Sequence, residues 1–168
     1  MRDSGTAIRI EYCLSLTGPL TGNSRSARLA HEIWRQDINA RGGLLGRPVE
    51  FVRYDDHANA SRVPALYKRL MDEDHVDLVI GGYGTNSLLP AMPVIMERER
   101  FFVGLMGLGV NNTLGYPHYF AMIPTGSDPN SALTDGFFEL AAAQTPRPLT
   151  LALVSADAEF SVAATLRS

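Results

Sequence analysis

One polar cluster in this sequence has the residue types of a recognition site. Gly81, Gly82, Tyr83, Gly84, Thr85, Asn86 and Ser87 follow directly on the aliphatic run Val76, Leu78, Val79, Ile80. Threonine, asparagine and serine supply hydroxyl and amide groups, and glycines let a backbone turn sharply and approach another group closely. Such groups hold a solute by hydrogen bonds. Thr85 and Asn86 either contact a ligand or cap a helix that starts there, as such residues commonly do. Tyr83 either stacks on a planar solute or stands at the rim. Asn23 and Ser24, in a second small-residue stretch, are either ligand contacts or ordinary turn residues. Asp55-Asp56-His57 has the types of a metal site, but no second ligand cluster accompanies it, so it reads as a strand-end turn. His31, His57, His75 and His118 are scattered and support no shared chemistry.

The enzyme motifs fail on inspection. Gly82-Tyr83-Gly84 lacks the third glycine of a dinucleotide fingerprint, since position 87 is serine, and no acidic residue follows at the required distance. There is no Gly-x-Ser-x-Gly elbow and no Walker A motif, and no catalytic acid, base and nucleophile assemble. Cys13 is the only cysteine, which excludes an internal disulfide and a cysteine-based zinc site. Its apolar neighbours predict a buried structural thiol. No cofactor and no metal are expected.

The elements that position the polar cluster follow from periodicity. Residues 76–80 form a short, β-branched run closed by glycine, the pattern of a strand buried on both faces. Strands are also predicted over residues 8–16, 49–55, 101–105 and 149–154, with a short extended segment at 119–123. A helix is predicted from Ser26, with Ala27, Ala30, Ile33, Trp34 and Ile38 as its apolar face and Trp34 in the core; Gly42-Gly43 ends it. Residues 59–72 carry Val63, Leu66, Tyr67, Leu70 and Met71 at full helical spacing. A helix from Ser87 towards Arg98 contains Pro93, which predicts a kink or a late start. Asp128 and Pro129 read as cap and first residue of a further helix, and another begins at Phe160. Strand–helix alternation predicts an α/β fold with a doubly wound parallel sheet. The loops at 17–24, 81–86 and 106–112 then share one edge of that sheet, where such folds bind ligands.

The chain has 168 residues, 45% hydrophobic and 20% charged, which is globular composition. A formal net charge of −3 gives no case for nucleic acid or anionic membrane. No stretch approaches a membrane span, so no direct membrane insertion is expected. The amino terminus MRDSGTAIRIEY shows no apolar leader core. Either the protein is cytosolic, or a leader has been removed or lies outside the chain.

LTGPLTG after the first strand, DINARGGLLGRPVEFVRYDD through the first helix and second strand, VDLVIGGYGTNS, YPHYFAMIPTGSDP and LALVSADAEF resemble the type I periplasmic solute-binding proteins, in the leucine/isoleucine/valine-binding branch of ABC transporters. The combination of Ile38, Asn39, Gly42, Gly43, Gly46 and Arg47 with Tyr54, Asp55 and Asp56 is the specific part. The resemblance implies two lobes that close on a solute. Residues 1–120 would be the amino-terminal lobe, and 121–168 the hinge crossing and an incomplete second lobe, so the chain is expected to be a fragment. It also implies a periplasmic location, a small amino-acid-like, amide or aromatic-acid solute, and an ABC permease as partner. The alternative is a cytosolic ligand-sensing regulator of the same fold; an α/β enzyme with its chemistry elsewhere is the third. By resemblance Thr85 takes the place of the serine that holds an amino acid's polar end. Met106, Gly107 and Leu108 stand where the family has a threonine, and Asn23 lies near the place of its first-loop tyrosine. Gly84 and Ser24 complete the implied ligand-binding set, with Tyr83 and Asn86.

Overall fold

The structure, a computed structural model, describes residues 6–123, 129–150, 152 and 154. Five strands form one parallel sheet in the order β2-β1-β3-β4-β5: β1 (Ile8–Leu14), β2 (Val49–Asp55), β3 (Leu78–Tyr83), β4 (Phe102–Leu105) and β5 (Tyr119–Ala121). Helices α1 (Thr21–Ala40), α2 (Val63–Asp72) and α3 (Thr85–Glu97) connect the first four strands, and α4 (Pro129–Ala142) follows β5. Order and direction are those of a doubly wound α/β sheet, as the alternation predicts.

The α2 and α3 face holds the main core. Val63, Tyr67 and Met71 of α2 and Leu88, Ala91, Met92 and Ile95 of α3 pack on Cys13, Val79 and Phe102. These α2 positions follow the predicted stripe, preceded by a single 3-10 turn, Ala60–Arg62, that Asn59 caps through its side chain. Cys13 is fully buried. Asp77, the acid that interrupts the aliphatic run, accepts the Arg9 backbone N–H at 2.9 Å and seals the entry to β3.

Three expectations change. First, α1 starts at Thr21, five residues earlier than predicted, and its inner stripe is Ser24, Ala27, His31, Arg35 and Ile38, while Ala30 and Ile33 turn outward. Trp34 is 39% exposed and lies tilted against Phe51, at 6.2 Å between ring centroids. Within that stripe His31 packs against the rings of Tyr12 and Phe51. Second, α3 runs unbroken from Thr85 through Pro90 and Pro93, with no late start. Packing of Leu88, Ala91, Met92 and Ile95 outweighs the two missing N–H groups. Third, β3 is covered unevenly: Val79 is buried on one face, while on the other Leu78 is 41% exposed and Ile80 is half-buried against Ile8, Ile10 and Val49. Residues 149, 150, 152 and 154 show no strand, and the predicted cap at Asp128 and helix from Phe160 lie outside the described residues.

Candidate functional site

The sheet's carboxyl edge carries the loops after β1, β3 and β4, because all three strands are parallel. Gly84 makes the turn out of β3 at φ +85°, a conformation that a side chain resists, and nothing lies within 4 Å of where its Cβ would be. Gly81 and Gly82 do something else. A Cβ on Gly81 would meet Leu88 at 2.2 Å, and one on Gly82 would meet the Cys13 carbonyl oxygen at 2.6 Å and Ser87 Cβ at 2.8 Å. They make room for α3 to seat on the sheet, and Gly84 alone opens to the mouth.

The structure joins the turn after β3 to the loop after β4. The Gly84 N–H donates to the Leu105 carbonyl at 2.9 Å, and the Leu108 N–H donates to Thr85 Oγ1 at 3.2 Å. Thr85 is buried, at 5% exposure. Its hydroxyl does not cap α3, whose start has no side-chain cap bond. Having accepted from Leu108, the Thr85 oxygen still carries its own hydrogen. Gly107 is buried against Leu88 and Val110, and Met106 sits at φ +54° with its side chain 40% exposed. Tyr83 and Asn86 are half-buried on either side of the Gly84 turn. Asn23 and Ser24 belong to the first turn of α1, not to a loop: Asn23 is exposed, and Ser24 is fully buried with its hydroxyl unbonded. The structure therefore brings Gly84, Thr85 and Leu108 into direct contact and sets the α1 pair on a separate element.

Sequence reasoning took Asp55-Asp56-His57 as a strand-end turn, which the bonds from the His57 and Ala58 N–H groups to the two acids match, but did not assign the acids to this edge. Asp55 accepts from the Leu16 N–H at 2.9 Å, the Thr17 hydroxyl at 2.9 Å and the His57 N–H at 2.8 Å. Burial works against its charge, yet the bonds from His57, Thr17 and Leu16 hold its carboxyl below the usual range. His57 Nδ1 lies 2.5 Å from Thr17 Oγ1 and 3.2 Å from Asp55 Oδ2. Asp56 is fully buried and bonded to Ser15 and Ser87. The signal was available: two acids end a strand beside another that runs into Ser15 and Thr17. Among the described residues no group of three or more His, Cys, Asp or Glu can hold a metal.

A cavity of about 300 Å³ lies elsewhere, between α4 and residues 147–150, lined by Phe137, Phe138, Ala141 and Leu149. Phe137 is 57% and Leu149 94% exposed, so it is an open, largely apolar groove, with Arg147 and Thr150 also in its lining.

Comparison with known proteins agrees with this layout. The family model described as "Periplasmic binding protein" matches residues 7–166. A curated "Amino acid binding protein" of Pseudomonas aeruginosa is 32% identical over 93 residues, which is 52% of this chain and 24% of that protein. A branched-chain amino acid transporter substrate-binding protein from Streptococcus pneumoniae, solved with isoleucine, superposes with a TM-score of 0.64 at 19% identity, covering 69% of this chain and 33% of that one. A solute-binding protein of an ABC transporter from Rhodopseudomonas palustris, solved with 3,4-dihydroxybenzoic acid, gives 0.60 at 18% identity over 71% and 32%. The chain thus spans between a quarter and a third of the length of these relatives. No described helix is long and apolar enough to cross a membrane. The family's pattern runs through both the sheet and its carboxyl edge, and the chain belongs to the periplasmic binding proteins.

Proposed function

We propose that this chain serves solute capture: it holds a small, carboxylate-bearing solute with an apolar body at the sheet's carboxyl edge, for handover to an ABC permease outside the cytoplasm. Residues 1–120 act as the amino-terminal lobe, and 121–168 lead into the second. Binding shifts the population towards the closed state that the permease reads, and no covalent chemistry is involved. One observation carries the reading. Thr85 accepts the Leu108 N–H and so keeps a hydroxyl hydrogen to donate, at the start of an α3 whose first N–H groups have no side-chain cap. Donors converging at a helix start favour an anion. Isoleucine and 3,4-dihydroxybenzoic acid, present in two structurally similar proteins, share a carboxylate on a small apolar frame and little else. Amino-acid-like, amide and aromatic-acid solutes therefore form the panel to test. Gly84 and Asn86 flank the carboxylate end; Tyr83, Met106, Gly107 and Leu108 line the solute's body; Asn23 and Ser24 close the α1 side.

Calorimetry of the two-lobed full-length protein with isoleucine and 3,4-dihydroxybenzoic acid tests it. Thr85→Ala is expected to weaken binding by on the order of 1 kcal/mol or more, and Thr85→Ser to keep most of it. Equal affinity of the Ala variant, with its fold intact, would remove Thr85 from the site. Binding of neither compound would reject the carboxylate reading.

A further inference from the structure

Three consecutive parts of the carboxyl edge meet on one side chain. Asp56, the residue after β2, has no solvent exposure. Its Oδ1 accepts from Ser15 Oγ at 2.6 Å and from the Ala58 N–H at 2.9 Å, and its Oδ2 accepts from Ser87 Oγ at 3.2 Å. Ser15 is the residue after β1, and Ser87 is in the first turn of α3, so the partners lie 41 and 31 residues away in sequence. Both serines are buried, at 1% and 4% exposure. The backbone repeats the link, since the Asp56 N–H donates to the Leu14 carbonyl at 3.3 Å. A carboxylate suits this position: it offers acceptors in several directions, and each serine hydroxyl has one hydrogen to give. A buried group of this kind is costly unless its bonds are made, so it holds its partners in place.

We propose that Asp56 is a positioning residue for the solute mouth: a buried staple that fixes the loop after β1 and the start of α3 relative to each other. It acts through Ser15 and Ser87 without touching solute. The network continues outward on both sides, through Asp55 to Leu16 and Thr17, and through Thr85 to Leu108. Four segments of the edge are thereby tied in one chain of bonds, with Asp56 at its centre. The functional sense of this staple rests on the reading of the edge as a solute site.

Amide hydrogen exchange on the 168-residue chain tests the staple without any solute. Asp56→Ala is expected to speed exchange about tenfold or more in both residues 14–18 and 84–88, relative to residues 8–12 and 78–80 within the sheet. Ser15→Ala and Ser87→Ala are small changes that keep the fold in reach if Asp56→Ala does not. Each is expected to speed exchange only in its own segment, about fivefold. A uniform rise across the sheet in all three variants would mean that Asp56 contributes stability alone and would overturn the proposal, as would no change in either segment. Affinity for isoleucine, measured with the same substitutions in the two-lobed full-length protein, separates the two readings. Local loosening in that series with no isoleucine binding by the full-length protein would sink the solute site and leave the staple standing.

Discussion

Across the middle of the sheet two neighbouring rows of side chains run from β2 to β5, one on each face. Val52, Glu11, Val79, Phe102 and Tyr119 form the row under α2 and α3; Arg53, Tyr12, Ile80, Val103 and Phe120 form the row on the opposite face. In the first row Glu11, Val79 and Phe102 are at 0–3% exposure. In the second, α1 lies over β2, β1 and β3, and exposure climbs from 0% at Tyr12 to 37% at Val103 and 51% at Phe120. A parallel sheet ordinarily has both faces covered. Among the described residues one face is finished and carries the strand-end machinery through α3, while the other is covered only where α1 lies over it. The geometry of Thr85, Ser87 and Gly84 should therefore depend on the α2 and α3 core and be nearly indifferent to the far half of the other face.

Phe102→Ala tests the finished side hardest. Phe102 is fully buried and meets Tyr67 edge-on at 5.8 Å. Its truncation is expected to cost about 3–5 kcal/mol by denaturant unfolding. A cost below about 1 kcal/mol would mean that this core is not the one holding the sheet.

Glu11 sharpens the comparison from within the same row. It is fully buried, and neither carboxyl oxygen has a hydrogen-bond partner. The Arg100 guanidinium, the cation that acts on it, is spent on the carbonyls of Val76 at 2.5 Å and Asp77 at 3.0 Å. Burial pushes the Glu11 carboxyl up from 4.5 to about 9, with Arg100 pulling it down and Asp74 pushing it up. Because the folded state keeps its proton and the unfolded state loses it above 4.5, stability falls as pH rises from about 4.5 to about 9. The slope approaches roughly 1.4 kcal/mol per pH unit in that window. Glu11→Gln is expected to flatten that slope, so that at pH 8 it is the more stable protein by roughly 3 kcal/mol, allowing for relaxation around the charge. Parallel stability profiles of the two proteins between pH 5 and 9 would mean that Glu11 finds a partner or water in solution.

What could be read from residue order divides along the same line. The α2 stripe was legible because Val63, Tyr67, Leu70 and Met71 repeat at helical spacing and all four are buried. The α1 stripe was only half legible: Ala27 and Ile38 face in as expected, but Ser24, His31 and Arg35 share that side and the apolar Ile33 faces out at 58% exposure. Apolar periodicity misses inner positions that polar residues fill, even over an apolar sheet face such as that of Phe51 and Ile80. Within the site, the turn at Gly84 was legible from glycine and the run before it. The roles of Gly81 and Gly82 were not, since the atoms they clear belong to Leu88 and Ser87, not to a ligand. The bonds from Asp56 to Ser15 and Ser87, and from Leu108 to Thr85, join residues 23 to 41 positions apart. Spacing within a segment carries no trace of such pairs; only the sheet register, which sets Leu14 beside Asp55, brings them together.

The unfinished face supplies the weakest and most discriminating change. Phe120 sits on β5 in register with Val103, stacked on Phe101 at 5.8 Å with 16° between ring planes. Phe101 is itself 57% exposed, so this pair covers apolar area without being enclosed. Phe120→Thr replaces one residue type favoured in strands by another and removes the stack. The expected loss is about 1 kcal/mol or less, the size of one exposed aromatic contact, against several for Phe102 one register position away on the other face. A loss as large as that of Phe102→Ala would mean that the second face is covered in solution after all. The asymmetry between the two rows would then belong to the described residues alone, and the sheet would be a layer closed on both sides.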